Sequence, residues 1–210
     1  MVKIAVIGAS AGVGLEVVKQ LIEAGDLVTT LSRRTDSIPD APQVTKVQGS
    51  ALNETDVLRT IEGADAVLVT LGTGMSTKAT GLYPKASQAL LTALTKLPNK
   101  PPVIVLTGFG AGDSWDYNSP FMKLMFNLFL KAVYAEKTQM EQLISGGYSN
   151  AMFVRPGRLT NGALTQHYRV TTNLDQATKI GKISRQDVAH FMVKQAKRPT
   201  YIGKYPALSY

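Results

Sequence analysis

Cysteine is absent from the 210 residues, which excludes disulfides, thiolate nucleophiles and cysteine-ligated metals. Histidine is scarce as well. His167 and His190 are the only two, too few for a histidine-rich metal site, so no metal is expected. Long apolar runs are missing too. The longest, Phe121 to Val133, is interrupted by Lys123, Asn127 and Lys131 and is too short to span a bilayer. No basic-then-apolar leader precedes the first apolar run, which predicts a cytoplasmic protein with no membrane attachment. Acidic residues are outnumbered: 15 Asp and Glu against 23 Lys and Arg give a formal charge of +8. The basic residues are scattered, with no run beyond Arg33-Arg34 and Lys197-Arg198 and no aromatic–basic alternation, so nucleic acid is not the expected partner. An anionic small molecule accounts for the surplus. The chain is long enough to bury one core. No repeat, low-complexity tract or linker divides it, so residues 1–210 read as a single domain.

What is present is ordered around the first stretch. Ile4 to Ile7 is a continuous apolar run, as in a strand buried on both faces of a parallel sheet. Gly8, Gly12 and Gly14 follow, and then Leu15, Val18, Leu21 and Ile22 recur at helical spacing. Strand, glycine turn and helix in that order form the first unit of a dinucleotide-binding fold. Gly8 permits the turn, Gly12 keeps no side chain between backbone and a pyrophosphate, and Gly14 lets helix and strand approach. The helix N-terminus offers unpaired N–H groups to phosphate, with Ala11 and Val13 in the same cradle and the Ser10 hydroxyl beside it. The Gly8-x-x-x-Gly12-x-Gly14 spacing is that associated with short-chain dehydrogenases and reductases.

The next strand, Leu27 to Leu31, ends in Ser32-Arg33-Arg34. An acid at this place holds a ribose 2′-hydroxyl, whereas a guanidinium accommodates a 2′-phosphate. Arg33 and Arg34 therefore predict NADPH over NADH as cofactor; Asp36 either binds ribose or pairs with Arg34. Pro39 and Pro42 make Ile38 to Gln43 a loop. Val44 to Val47 is a third strand, followed by Ser50 and Ala51 on the adenine side, and Thr55 or Asn53 caps a helix running to Glu62. A fourth strand, Ala64 to Leu71, ends in Leu71-Gly72-Thr73, whose backbone can approach the cofactor ribose.

A helix over Ala79 to Leu97 leads to a fifth strand, Val103 to Leu106, which delivers Thr107, Gly108 and Phe109 to the place where nicotinamide and substrate meet in such sheets. Asp113 to Pro120, with Trp115, reads as a loop over the site. Phe121 to Ser145 reads as one long helix, whose Met122, Met125 and Phe126 are either core or the lining of a pocket or dimer contact. Ala151 to Val154 is strand six, closing on Arg155-Pro156-Gly157-Arg158-Leu159. The backbone of Pro156, Gly157 and Leu159 is expected to face the nicotinamide. Ser184 caps the last helix with Asp187 three residues on, near a capping box. His190 on that helix reads as a packed or surface histidine. The tail, Thr200 to Tyr210, is expected to add an edge strand. The fold class that results is α/β, Rossmann-type and doubly wound, a mainly parallel sheet with helices on both faces.

A closer likeness rests on Ile7-Gly8-Ala9-Ser10, Val28-Thr29-Thr30-Leu31-Ser32-Arg33, Asp65 to Thr73, Arg155-Pro156-Gly157, Ile183 to Met192 and Tyr205-Pro206. On these the chain resembles the atypical short-chain dehydrogenase/reductases, most closely the biliverdin-IXβ reductase/flavin reductase family. The resemblance implies NADPH-dependent reduction of linear tetrapyrroles and free flavins. Two departures touch the chemistry. Tyr134-Ala135-Glu136-Lys137 is one residue short of the Tyr-x-x-x-Lys acid pair of many short-chain dehydrogenases. On a helix that slip turns the tyrosine through about 100°, which argues against Tyr134 as the acid. The family's serine after the strand-five threonine and its histidine in the strand-six loop are replaced by Gly108 and Arg158.

Arg158 stays protonated, so its expected role is to hold a substrate carboxylate or stabilise developing charge. The proton is then expected from solvent, relayed by Thr107. Phe109, Trp115, Met122 and Phe126 are expected to form an open stacking surface for a tetrapyrrole, flavin or quinone. The alternative is a redox sensor that binds NADPH without turnover and offers the apolar helix Phe121 to Val133 to a partner. An isomerase is disfavoured by the missing Tyr–Lys spacing. The expected assembly is a monomer or weak homodimer.

Overall fold

The computed structural model describes residues 1–210 except Met75 and Gln176, together with all side chains but those of Phe121 and Met125. Met125, a candidate pocket residue above, thus lies outside the described side chains. In chain order the elements are β1 (Lys3–Ile7), α1 (Gly12–Glu23), β2 (Leu27–Ser32), β3 (Val44–Gln48), α2 (Glu54–Ile61), β4 (Ala66–Val69), α3 (Leu82–Thr95) and β5 (Val103–Leu106). A 3₁₀ turn (Gly112–Tyr117) follows, then α4 (Pro120–Phe129), α5 (Lys131–Gly147), β6 (Ala151–Pro156), β7 (Arg158–Thr160), β8 (Arg169–Thr171), β9 (Lys182–Ser184), α6 (Arg185–Lys197) and β10 (Ala207–Ser209).

The main sheet runs β3-β2-β1-β4-β5-β6-β10-β8. Every pairing in it is parallel save β10 with β8. Strand order reverses between β1 and β4, the switch point at whose carboxyl ends open α/β sheets bind ligands. The continuous apolar run of β1 is explained by its neighbours on both faces. Ile4 and Val6 enter a core with Val13, Val17 and Leu21 of α1 and Val188 and Phe191 of α6. Ala5 and Ile7 enter the opposite core with α2, α3 and α5 residues such as Val57, Leu90 and Ile144. The doubly wound α/β fold is therefore as the sequence implied. Among the described residues no helix is long and apolar enough to cross a membrane.

Three expectations need correction. The helix read as Phe121 to Ser145 is two helices, broken at Leu130, whose backbone (φ −124°, ψ −2°) leaves the helical region. The break lets α5 lie on α3 and the sheet while α4 turns outward, leaving Leu124, Leu128 and Phe129 more than half exposed. The tail does not form an edge: β10 pairs with β6 on one side and with β8 on the other. The stretch expected as a loop over the site is largely the 3₁₀ turn. Asn53 rather than Thr55 caps α2, accepting from the Asp56 N–H at 3.1 Å.

Candidate active site

The glycine turn leaves its backbone open. Gly12 holds φ +58°, and the nearest atom to the place where its Cβ would sit is Nε of Arg185, 3.9 Å away. A Cβ on Gly14 would come 2.2 Å from the Gly8 carbonyl oxygen, so only glycine lets α1 lie this close to β1. No side chain caps α1 and no acid sits in its first turn. Its leading N–H groups are thus free to meet an anion. Ser10 contributes through its backbone in this structure: its carbonyl accepts a 2.5 Å bond from the Ser37 hydroxyl, tying the turn to the segment after β2. Arg33 and Arg34 belong to that segment, both exposed. After β3 the Ser50 N–H donates to Asp56 at 2.9 Å, and Ala51, expected with Ser50 on the adenine side, stands half-buried beside it. Leu71, Gly72 and Thr73 follow β4 at the switch point, and a Cβ on Gly72 would meet nothing within 4 Å. A turn of this shape, open and uncapped, fits a dinucleotide pyrophosphate.

At the end of β5 the geometry differs from expectation. The Thr107 hydroxyl is buried and donates to Glu141 at 2.7 Å. Glu141 in turn receives Arg155, Nε at 3.0 Å and Nη2 at 2.7 Å, and Arg155 reaches Asp113 at 2.5 Å. With its proton committed to a buried carboxylate, Thr107 is not placed to relay one to a substrate. That role is withdrawn. The Thr107 carbonyl instead accepts a 2.6 Å bond from Nζ of Lys137.

Gly108 is flanked by two polar groups. A Cβ there would lie 2.9 Å from the Tyr134 hydroxyl and 3.4 Å from Nζ of Lys137. The ammonium stands 4.9 Å from the centroid of the Tyr134 ring. The one-residue slip in spacing therefore does not carry Tyr134 away from the site. The hydroxyl occupies the space a side chain at position 108 would need. Burial pushes the Tyr134 phenol up to about 12, helped by Tyr83 nearby. Burial brings Lys137 down to about 8, against the pull of Glu141 in the other direction. Of the two, the ammonium is the group that exchanges its proton nearer neutrality.

The aromatic residues do not form an open platform. Phe109 and Phe126 are 7% and 4% exposed. Phe126 is wedged edge-on between Trp115, 5.8 Å away, and Tyr134, 4.5 Å away. This stack backs the Tyr134 ring; Trp115 is half-buried and Met122 exposed. Arg158, at the start of β7, has an exposed side chain with no ion pair among the described residues, and its N–H donates to the Gly181 carbonyl at 3.0 Å. Gly157 is glycine because the Gly181 carbonyl oxygen would lie 2.2 Å from its Cβ. Pro156 accepts the Phe109 N–H at 2.9 Å, and Leu159 is partly buried against the α1–α6 core. Sequence reasoning missed the Glu141–Arg155 pair and did not foresee that Tyr134 and Lys137 stand together against Gly108. The Glu141–Arg155 pair left no trace in the sequence, because it joins α5 to β6 and only their packing brings the two together.

The fold has close counterparts among solved structures. The anaerobillin reductase ChuY from Escherichia coli O157:H7 is 23% identical over 99% of this chain and 96% of its own, with TM-score 0.80. A short-chain dehydrogenase/reductase from Veillonella parvula, solved in complex with NADP, is 17% identical over 99% and 94%, with TM-score 0.82. A Streptococcus pneumoniae protein named for NADH-flavin reductase activity is 19% identical over 100% and 99%, with TM-score 0.76. At these identities the likeness shows the fold. The family model described as NAD(P)H-binding matches residues 8–199, nearly the length over which the turn, the switch point and the β5 end were traced, and the chain belongs to that family.

Proposed function

We propose that the protein is a single-domain, cytoplasmic NADPH-dependent reductase that delivers hydride to an extended conjugated acceptor, a biliverdin-type linear tetrapyrrole or a flavin. The observation that carries this reading is the Tyr134–Lys137 pair against Gly108. It sets a proton-bearing group at the carboxyl end of β5, beside the switch point. The bound reduced nicotinamide supplies the hydride. The glycine turn and the α1 N-terminus bind the pyrophosphate, and Arg33 and Arg34 hold the 2′-phosphate. Lys137, hydrogen-bonded to the Thr107 carbonyl and half-buried, supplies the proton that the reduced acceptor takes up, with the Tyr134 hydroxyl beside Gly108. Arg158 receives an acceptor carboxylate from the open side. That two proteins of the same fold are named as bilin and flavin reductases supports the acceptor class.

The exposed Leu124, Leu128 and Phe129 of α4 favour a second reading, an NADPH-holding sensor that docks through this helix. One assay separates the two. Oxidation of NADPH is followed with biliverdin, FMN and a quinone panel, alongside calorimetric titration of NADPH. Turnover of any acceptor above the enzyme-free control supports the reductase. Tight binding with no turnover across the panel overturns it in favour of the sensor.

A further inference from the structure

Arg185, the first residue of α6, is placed on the glycine turn by contacts that the reading above does not use. Its Nε stands 3.9 Å from where a Cβ of Gly12 would be, and its Nη1 donates to Oδ1 of Asn161 at 2.6 Å. Among the described residues no carboxylate pairs with it. A guanidinium has five donors, and one neutral amide oxygen leaves its charge unmatched.

The support behind this side chain is built into the fold. Asp187 is fully buried and gathers donors from two segments. Its carboxylate accepts from the Thr165 N–H at 2.9 Å, the Gln166 N–H at 2.7 Å, the Thr165 hydroxyl at 2.8 Å and the Tyr210 hydroxyl at 2.6 Å. The segment carrying Asn161 is thereby fastened to the first turn of α6, and α6 lies along α1. Gln20 on α1 donates to the Gln186 carbonyl at 2.9 Å, next to Arg185 itself. Helix, strap and glycine turn are thus held in one frame, with a cation facing the turn where α1 presents its uncapped N–H groups.

We infer that Arg185 is a cofactor ligand at the pyrophosphate, with Asn161 as the residue that positions it. The inference rests on membership of the NAD(P)H-binding family and not on the identity of the acceptor. It differs from the role of Arg33 and Arg34 in what it reads: the pyrophosphate is common to NADPH and NADH, whereas the 2′-phosphate belongs to NADPH alone.

The test is a calorimetric titration of wild type, Arg185→Gln and Arg185→Lys with NADPH, NADH, ADP-ribose and 2′-AMP. The last of these carries the 2′-phosphate without a pyrophosphate. Loss of a charge-assisted contact is expected to weaken the first three ligands by the same factor, roughly tenfold, and to leave 2′-AMP unchanged. Arg185→Lys, which keeps the charge, is expected to recover much of the loss. Unchanged dinucleotide affinities overturn the inference. So does a loss confined to NADPH, which would assign Arg185 to the 2′-phosphate, or an equal loss for 2′-AMP in both variants, which would mark a general disturbance of the fold. If the wild type binds neither dinucleotide, the cofactor reading itself falls and this inference with it.

Discussion

Lys137 is the residue on which the proposed chemistry turns, and its environment fixes a pH window. In the unfolded chain its amine has the ordinary lysine value of 10.5; burial in the folded protein brings it to about 8. If Lys137 supplies the proton, kcat with a tetrapyrrole or flavin acceptor holds below about pH 8 and falls above it. Were Tyr134 the donor, the profile would stay flat until its own value near 12. A flat kcat from pH 7 to 10 would therefore remove Lys137 from the role. The same shift has a stability consequence with a definite sign. Below about pH 8 both states are protonated, and the folded protein bears the full cost of a desolvated cation. Between about 8 and 10.5 the folded state sheds its proton first, so stability rises with pH. Denaturant curves of wild type and Lys137→Met should thus converge or cross over that interval, the wild type gaining relative to the variant. Parallel curves across the interval would mean that the nitrogen is not desolvated.

Among the elements, α6 does more than complete a layer. Ser184 caps it, accepting from the Asp187 N–H at 3.0 Å, as the spacing of those residues implied. The Asp187 carboxylate accepts the Ser184 hydroxyl at 3.1 Å and also turns to Thr165, Gln166 and Tyr210; burial pushes its pKa up, but the bonds from Tyr210, Gln166 and Thr165 hold it below the usual carboxylate value. Asp187→Asn places an amide N–H₂ among groups that are themselves donors, so part of the hub is left unpaired. A loss of about 2–3 kcal/mol is expected from urea unfolding, together with faster proteolysis of the segment from 161 to 168. A change under about 0.5 kcal/mol, the level of an ordinary surface substitution, would show that the hub does not carry that strap. The strap was not legible beforehand: Asn161-Gly162 marks a turn, but the residues up to His167 have no apolar period, and β7 and β9 are three residues each. By contrast the strands β1, β4 and β5 were plain in the sequence, since two covered faces demand unbroken apolar runs. The helix break at Leu130 left no signal: no glycine or proline stands there, and the packing of α5 on α3 imposes it. That Tyr134 and Lys137 meet at Gly108 was hidden for a related reason. Sequence spacing fixes the angle between two side chains on a helix, but where that helix crosses the end of β5 is decided by tertiary contacts.

The charge of +8 is spread over the protein, and it has a kinetic signature that separates general attraction from a specific site. A positive field draws any anionic dinucleotide, and salt weakens that attraction by screening. NADPH carries about two more negative charges than NADH through its 2′-phosphate, so kcat/KM for NADPH should fall more steeply with ionic strength than kcat/KM for NADH. Arg33 and Arg34 alone provide the local part of that difference in the reading advanced here. Replacing both with neutral residues is expected to raise the KM for NADPH by roughly tenfold or more and that for NADH little, since charge-assisted contacts of this kind contribute about 1.5–3 kcal/mol. The difference between the two salt slopes should shrink with them. If both cofactors lose equally, the pair acts only through the overall field and does not select the phosphorylated cofactor.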